Sequence, residues 1–175
     1  MPTAASVLWF RRDLRLYDLP PLLEAAGSGG SVLACFVLDP RLEAAAGPRR
    51  LQYIGDALRE VNDALDGRLL IARGRPEDLI PQICAAVDAT AVHISADFSP
   101  FGVRRDRAVG AALSAAGIPL VATGSPYLVS PGRVTKDDGT PYKVFTPFFN
   151  RWREIGWRSP AQSDPAMASW LDPAR

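Results

Sequence analysis

The sequence has little that could do chemistry unaided. It holds one histidine, His93, and two cysteines, Cys35 and Cys84, in 175 residues. No CxxC pair and no Cys/His cluster occurs, so neither a metal site nor a disulfide framework is expected. The cysteines sit in a strand-like and a helix-like run, the setting of small buried apolar side chains. His93 lies in the apolar run Ala91-Val92-His93-Ile94 and reads as a packed strand residue. No nucleophile–base pair can be assembled around it, so no catalytic residue is assigned.

Other absences narrow the class further. There is no N-terminal apolar leader and no apolar run of about 18 residues, so neither secretion nor membrane spanning is expected and the cytoplasm is the default. Twenty Lys and Arg face 19 Asp and Glu, a formal charge of +1. That balance argues against a strong nucleic-acid binder acting alone, because phosphate affinity needs a concentrated basic surface. No GxGxxG follows the first apolar run, where Arg11-Arg12-Asp13 stands instead, and no GxxxxGK[ST] occurs anywhere. A standard dinucleotide or P-loop site is therefore disfavoured.

What is present is rhythm. Short apolar runs recur at Ser6–Phe10, Ser31–Leu38, Arg68–Ala72, Ala91–Ser95 and Pro119–Ala122. Ser31–Leu38 is continuously apolar, as suits a strand covered on both faces. Between the runs lie helical patterns. Asp18 offers an N-cap ahead of Pro20 and Pro21 for a helix to Ala26. Leu51, Ile54, Leu58, Val61 and Leu65 form one apolar stripe on a helix from about Arg49 to Leu65. Leu79, Ile80, Ile83 and Val87 mark a third helix, and Val109 and Leu113 a fourth over Arg104–Ala116. Strands alternating with amphipathic helices predict an α/β, Rossmann-like, doubly wound parallel sheet of five strands with helices on both faces. After Thr123 the pattern changes. Asp137-Asp138-Gly139-Thr140 reads as the turn of a small hairpin, and Pro147–Trp157 as a short aromatic-rich helix. Residues 5–157 are expected to form the domain, and the Pro-, Ala- and Ser-rich stretch 158–175 a linker or tail.

Ligands of open α/β sheets sit beyond the carboxyl ends of the strands. The loop after the second strand supplies Asp39, Arg41, Arg49 and Arg50; the loop after the fourth supplies Asp97, Phe98, Ser99 and Phe101. Together they could wall a cleft for a flat polar heteroaromatic ring, with Phe on its face and Arg and Asp at its edge. Solvated loop charges would leave the same pattern.

The motifs VLWFRRDLRLYDLP (Val7–Pro20), FVLDP (Phe36–Pro40), PRR (Pro48–Arg50), FSPFGVRRDRAV (Phe98–Val109) and GTPYKVFTPFFNRW (Gly139–Trp152) resemble, in order and spacing, the amino-terminal α/β domain of DNA photolyases and cryptochromes. The resemblance implies a light-harvesting antenna domain that is not catalytic by itself. A helical FAD-binding domain, absent from this chain, would carry FAD, the electron-relay tryptophans and the contacts to pyrimidine dimers in DNA. Trp9, Trp152, Trp157 and Trp170 are not expected to be that relay. Positions matching the cleft of relatives that hold the deazaflavin 8-HDF are Phe36, Asp39, Arg50 and Asp97, with Phe98 and Ser99 beside them; one carboxylate of that pattern falls on Ser99. Relatives that bind the folate MTHF carry a carboxylate where this chain has Phe101-Gly102. The resemblance thus favours an 8-HDF-type antenna over MTHF or a flavin (FMN or FAD). A cryptochrome fragment shares this domain, and a free-standing universal-stress-type nucleotide-binding domain shares the doubly wound sheet. Phe145, Phe148, Phe149 and Trp152 are candidates for the face on which the helical domain would dock.

Overall fold

A computed structural model describes residues 4–173. The strands β1 (Ala5–Phe10), β2 (Ser31–Leu38), β3 (Leu69–Arg73), β4 (Ala89–Ile94) and β5 (Leu120–Ala122) form a parallel sheet in the order β3-β2-β1-β4-β5. The central strands β1 and β2 are buried almost throughout. This is why their sequences are continuously apolar rather than alternating.

The alternation of side chains divides the core in two. Leu8, Phe10, Val32, Ala34 and Phe36 face one side, where α1 (Pro20–Gly27) and α3 (Pro48–Ala64) supply Leu22, Leu58 and Val61. Val7, Trp9, Leu33 and Cys35 face the other side, covered by Ile80 and Cys84 of α4 (Pro76–Ala86) and Val109 and Leu113 of α5 (Pro100–Ser114). Helices on both faces make the sheet doubly wound, as the sequence pattern predicts. Burying each such side chain contributes roughly 1.5–3 kcal/mol before the entropy of ordering it is subtracted. Cys35 and Cys84 are free thiols in this core, and burial raises both pKa values, that of Cys84 to about 11. His93 is buried on β4 with no hydrogen-bond partner at either ring nitrogen; burial lowers its pKa, against a weaker upward pull from Glu24, so it packs as a neutral ring.

Several local expectations differ from what forms. The N-cap position of α1 is Leu19, not Asp18. Asp18 sits in the left-handed region at φ 51° and aims its carboxylate at the chain beyond residue 157. Helix α5 begins four residues earlier than the apolar pattern suggests, because Ser99 accepts a hydrogen bond from the Gly102 N–H (3.0 Å) and Pro100 occupies the first turn. The expected hairpin is reduced to one bridge, Thr135 with Pro141, since Phe145 already opens α6 (Phe145–Ile155).

The stretch expected to be a linker or tail is fastened to the domain. Arg158 pairs with Asp18 at 2.5 Å, and the Ala161 N–H donates to Asp18 at 2.7 Å. A short strand β6 (Ser169–Trp170) pairs with the start of β2. Between them Ser163, buried, accepts from the Leu19 N–H and donates to the Leu16 carbonyl, both at 2.8 Å. Ser163→Ala leaves both backbone groups unsatisfied and is expected to destabilise the fold by about 2–3 kcal/mol. Urea denaturation compares the two proteins directly.

Candidate functional site

A wide cavity lies between β2, the edge strand β3, the short helix α2 (Pro40–Glu43) and α3. It encloses about 830 Å³, ample for a ligand of several fused rings. Its origin is legible in the α3 stripe. Leu58, Val61 and Leu65 pack into the core, whereas Leu51 is exposed and Ile54 only partly buried. Phe36 and Leu38 of β2, Leu42 of α2 and Ile71 of β3 complete an apolar wall. Gly55 also lines it, and a Cβ placed there would meet nothing within 4 Å.

Polar groups sit at the rim. Asp39 is buried and caps α2 by accepting from the Arg41 N–H at 3.0 Å. Its carboxylate is also held by the Arg41 guanidinium, with Nε to Oδ1 at 2.9 Å and Nη2 to Oδ2 at 2.6 Å. Arg41 reaches Glu77 at 3.0 Å and lies 5.4 Å from the Phe101 ring centre. That contact joins the loop after β2 to the start of α5. Arg50, exposed at the cavity wall, makes no ion pair among the described residues. It stands with Arg49 in the first turn of α3, which carries no acidic residue. Cations at a helix amino terminus oppose the helix dipole. Arg50 and the amino terminus of α3 therefore bring positive charge to one side of the rim, a setting suited to an anionic group.

Phe36, Asp39 and Arg50 thus meet at one cavity, and Asp97, Phe98 and Ser99 lie off its lining. These three belong to the switch point between β1 and β4, which side chains fill. The Arg11 guanidinium, 5% exposed, bonds Asp106 and the Ser95 carbonyl. Arg11 and Arg105 lie over the Trp9 ring at 5.0 and 5.2 Å. Asp97 accepts from the Ser99 N–H (2.9 Å) and from Arg105 (3.3 Å), with Arg12 at 3.5 Å. Burial alone would raise the Asp97 pKa. Hydrogen bonds from Ser99 and the charges of Arg105 and Arg11 outweigh that and lower it. No water-sized space remains beside Asp97 and Ser95, while about 80 Å³ stays open between Trp9, Arg11 and Arg105 on one side and Phe36 and Asp39 on the other. Phe98 is half-exposed against the edge of Tyr127, and Ser99 caps α5. Side chains fill most of the ordinary nucleotide crevice of the fold, and the larger open volume lies one strand over, on the α3 side of β2.

A Cβ at Gly102 would fall inside the Asp97 carboxylate. Gly102→Ala is expected to cost about 1–3 kcal/mol through this overlap, measurable as a lowered denaturation midpoint. Sequence reasoning missed Gly55, Leu42 and Ile71 as cavity-lining residues. The available signal was the glycine interrupting the α3 stripe.

The model of the family described as DNA photolyase matches residues 6–167. A deoxyribodipyrimidine photo-lyase of Synechococcus sp. is 37% identical over 156 residues, 86% of this chain and 32% of its own length. A cryptochrome-2 of Gallus gallus is 32% identical over 155 residues, 83% of this chain and 27% of its own. An archaeal photolyase from Sulfolobus tokodaii, solved with two FAD molecules, superposes with a TM-score of 0.81 at 25% identity, over 95% of this chain and 38% of its own. The chain spans about a third of the length of these relatives.

Proposed function

The chain belongs to the DNA photolyase family, as the counterpart of its amino-terminal α/β domain, and on that footing we propose that it is an antenna domain whose β2–α3 cavity holds a light-harvesting chromophore. The observation that carries the reading is that cavity: about 830 Å³, apolar, with unpaired Arg50 at its wall. Phe36 and the α3 face beside Gly55 would hold a flat ring, Asp39 its polar edge, and Arg50 an anionic tail. Such a chromophore supplies absorption of visible light and transfer of the excitation; the protein supplies a dry, fixed seat.

Within the proposal an 8-HDF-type deazaflavin is favoured over MTHF. The second FAD of the archaeal relative supports a flavin as the next candidate. Asp97, Phe98 and Ser99 would act by shaping the neighbouring loop rather than by lining the cavity. The parent activity would be light-driven repair of pyrimidine dimers in DNA, carried by a helical FAD-binding domain that also makes the DNA contacts. That domain would dock on α6, where Phe145, Phe148 and Phe149 are exposed, with Phe145 stacked on Phe149 at 5.6 Å and Phe149 on Trp152 at 6.2 Å. No helix among the described residues is long and apolar enough to cross a membrane, and the cytoplasm is the proposed location. A blue-light receptor role is the second reading, favoured by the likeness to the Gallus gallus cryptochrome. The family match takes the place of the universal-stress alternative.

The test is titration of the chain with 8-HDF, FMN, FAD and MTHF, followed by absorption. A saturable red shift with 8-HDF, weaker with the flavins and absent with MTHF, is the expected result. Binding of none of the four removes the antenna role and leaves the fold assignment standing.

A further inference from the structure

A second cavity, about 350 Å³, lies at the far side of the carboxyl edge of the sheet. Three separate stretches of chain build it: Arg15 and Asp18 from the loop after β1, Ser125 to Leu128 from the loop after β5, and Trp157 to Pro160 from the chain leaving α6. One end is cationic. The Asp18 carboxylate lies 2.5 Å from Arg158 and 3.6 Å from Arg15, so two guanidiniums share one negative charge. Arg15 spends Nε and one Nη on the Asp18 carbonyl, at 3.2 and 2.9 Å. Arg158 spends Nη1 on Asp18 and the Ser159 carbonyl. Each guanidinium carries five N–H groups, so donors remain on both for an incoming anion.

The other end is aromatic. Trp157 is 59% exposed and rests tilted on Trp152 at 5.6 Å, which fixes its plane. Tyr127 is flanked by Arg12, 5.8 Å from its ring centre, and by Phe98 in a T-shaped contact at 6.3 Å. Ser125, which ends the turn Thr123-Gly124-Ser125, also lines the cavity. Gly124 adopts φ 65° with its Cα against the Pro20 ring, where a Cβ would sit 2.8 Å from Cγ. The Ser125 hydroxyl is taken up by Ser130 at 2.9 Å and by Tyr127, so contact with an anion falls to the arginines rather than to this loop. A ring wall facing a guanidinium pair, in a volume of this size, matches a planar ring that carries its charge at one end.

We propose that this cavity binds a mononucleotide-sized ligand, a planar heteroaromatic ring bearing an anionic group, between Trp157 and the Arg15–Arg158 pair. The site is separate from the β2–α3 cavity, and its occupancy does not depend on the antenna reading.

Equilibrium dialysis of the chain with AMP, adenosine and ribose 5-phosphate tests it. AMP is expected to saturate with a Kd on the order of 0.1 mM. Adenosine, lacking the charge, and ribose 5-phosphate, lacking the ring, are expected to bind about tenfold more weakly or worse. Arg158→Gln and Trp157→Leu should each lose AMP by about the same factor; the second removes an exposed ring and leaves the Asp18 clamp intact. Failure of AMP to saturate, or full retention by both variants, overturns the proposal. So does loss of AMP on Gly55→Leu, which would place it in the β2–α3 cavity instead.

Discussion

Replacing Gly55 with leucine is expected to abolish chromophore binding, by about a hundredfold or more, without weakening the fold. The glycine lies inside α3, where the residue costs roughly 0.5–1 kcal/mol relative to alanine through lost backbone entropy. A side chain added there projects into open cavity rather than into a neighbour. Leucine therefore gains helix propensity and shares a helix face with Leu51 and Leu58 while filling the space a ring would need. Few substitutions separate stability from binding so cleanly. Chromophore titration and urea denaturation on the same samples make the comparison. A variant that is both more stable and unable to bind is the expected pair of results. Undiminished binding would place the chromophore elsewhere.

Arg105→Met is the complementary case, expected to destabilise the fold by about 3–5 kcal/mol without touching the cavity. Arg105 and Asp97 are 7% and 5% exposed and pair at 3.3 Å. Methionine preserves much of the contact with Trp9 but leaves a buried carboxylate without its direct guanidinium partner, with Arg12 at 3.5 Å and the charge of Arg11 beyond. The pH dependence follows from the direction of the Asp97 shift. Its pKa is lower in the folded state than unfolded, so the fold binds that proton less readily than the unfolded chain does. The resulting stability is present above the unfolded value of about 3.9 and is lost as pH falls through the lowered folded value. In Arg105→Met burial gains weight against the remaining hydrogen bonds, and this acid-induced loss should shrink. Urea midpoints at pH 7 and pH 3 for both proteins measure the two effects together.

The fold was legible because the core is simple. Ser31–Leu38 is short, continuously apolar and bounded by turn residues, which suits a strand covered on both faces, and the 3.6-residue stripe of α3 marks the face it buries. What escaped was determined by long-range polar contacts. Asp18 has the chemistry of an N-cap, yet Arg158 and the Ala161 N–H claim its carboxylate from more than a hundred residues away. The stretch beyond residue 157 has no hydrophobic period, so nothing local announces that the Ser163 hydroxyl and β6 tie it down.

The candidate site was legible in part for the same reason. Phe36, Asp39 and Arg50 flank one strand end, and local sequence brings them together. Whether the loop after β4 reaches the same cavity depends on what fills the switch point. Arg11 fills it, through Asp106 on α5 and the Ser95 carbonyl. Arg11-Arg12-Asp13 signalled only that no glycine-rich fingerprint stood there, not that the first arginine would occupy the crevice. Leu51 illustrates the converse. It continues the α3 stripe but lines open space, because a periodic pattern shows which face is apolar and not what covers it.

The central claim is that the ligand seat of this domain is the β2–α3 cavity and not the switch point of the sheet. A crystal structure of the chain soaked with 8-HDF tests it most directly. Density for the ring is expected between Phe36 and the face of α3 at Gly55, with its charged end at Arg50. Density beside Asp97 and Phe98, with Arg11 displaced from Asp106, would contradict it.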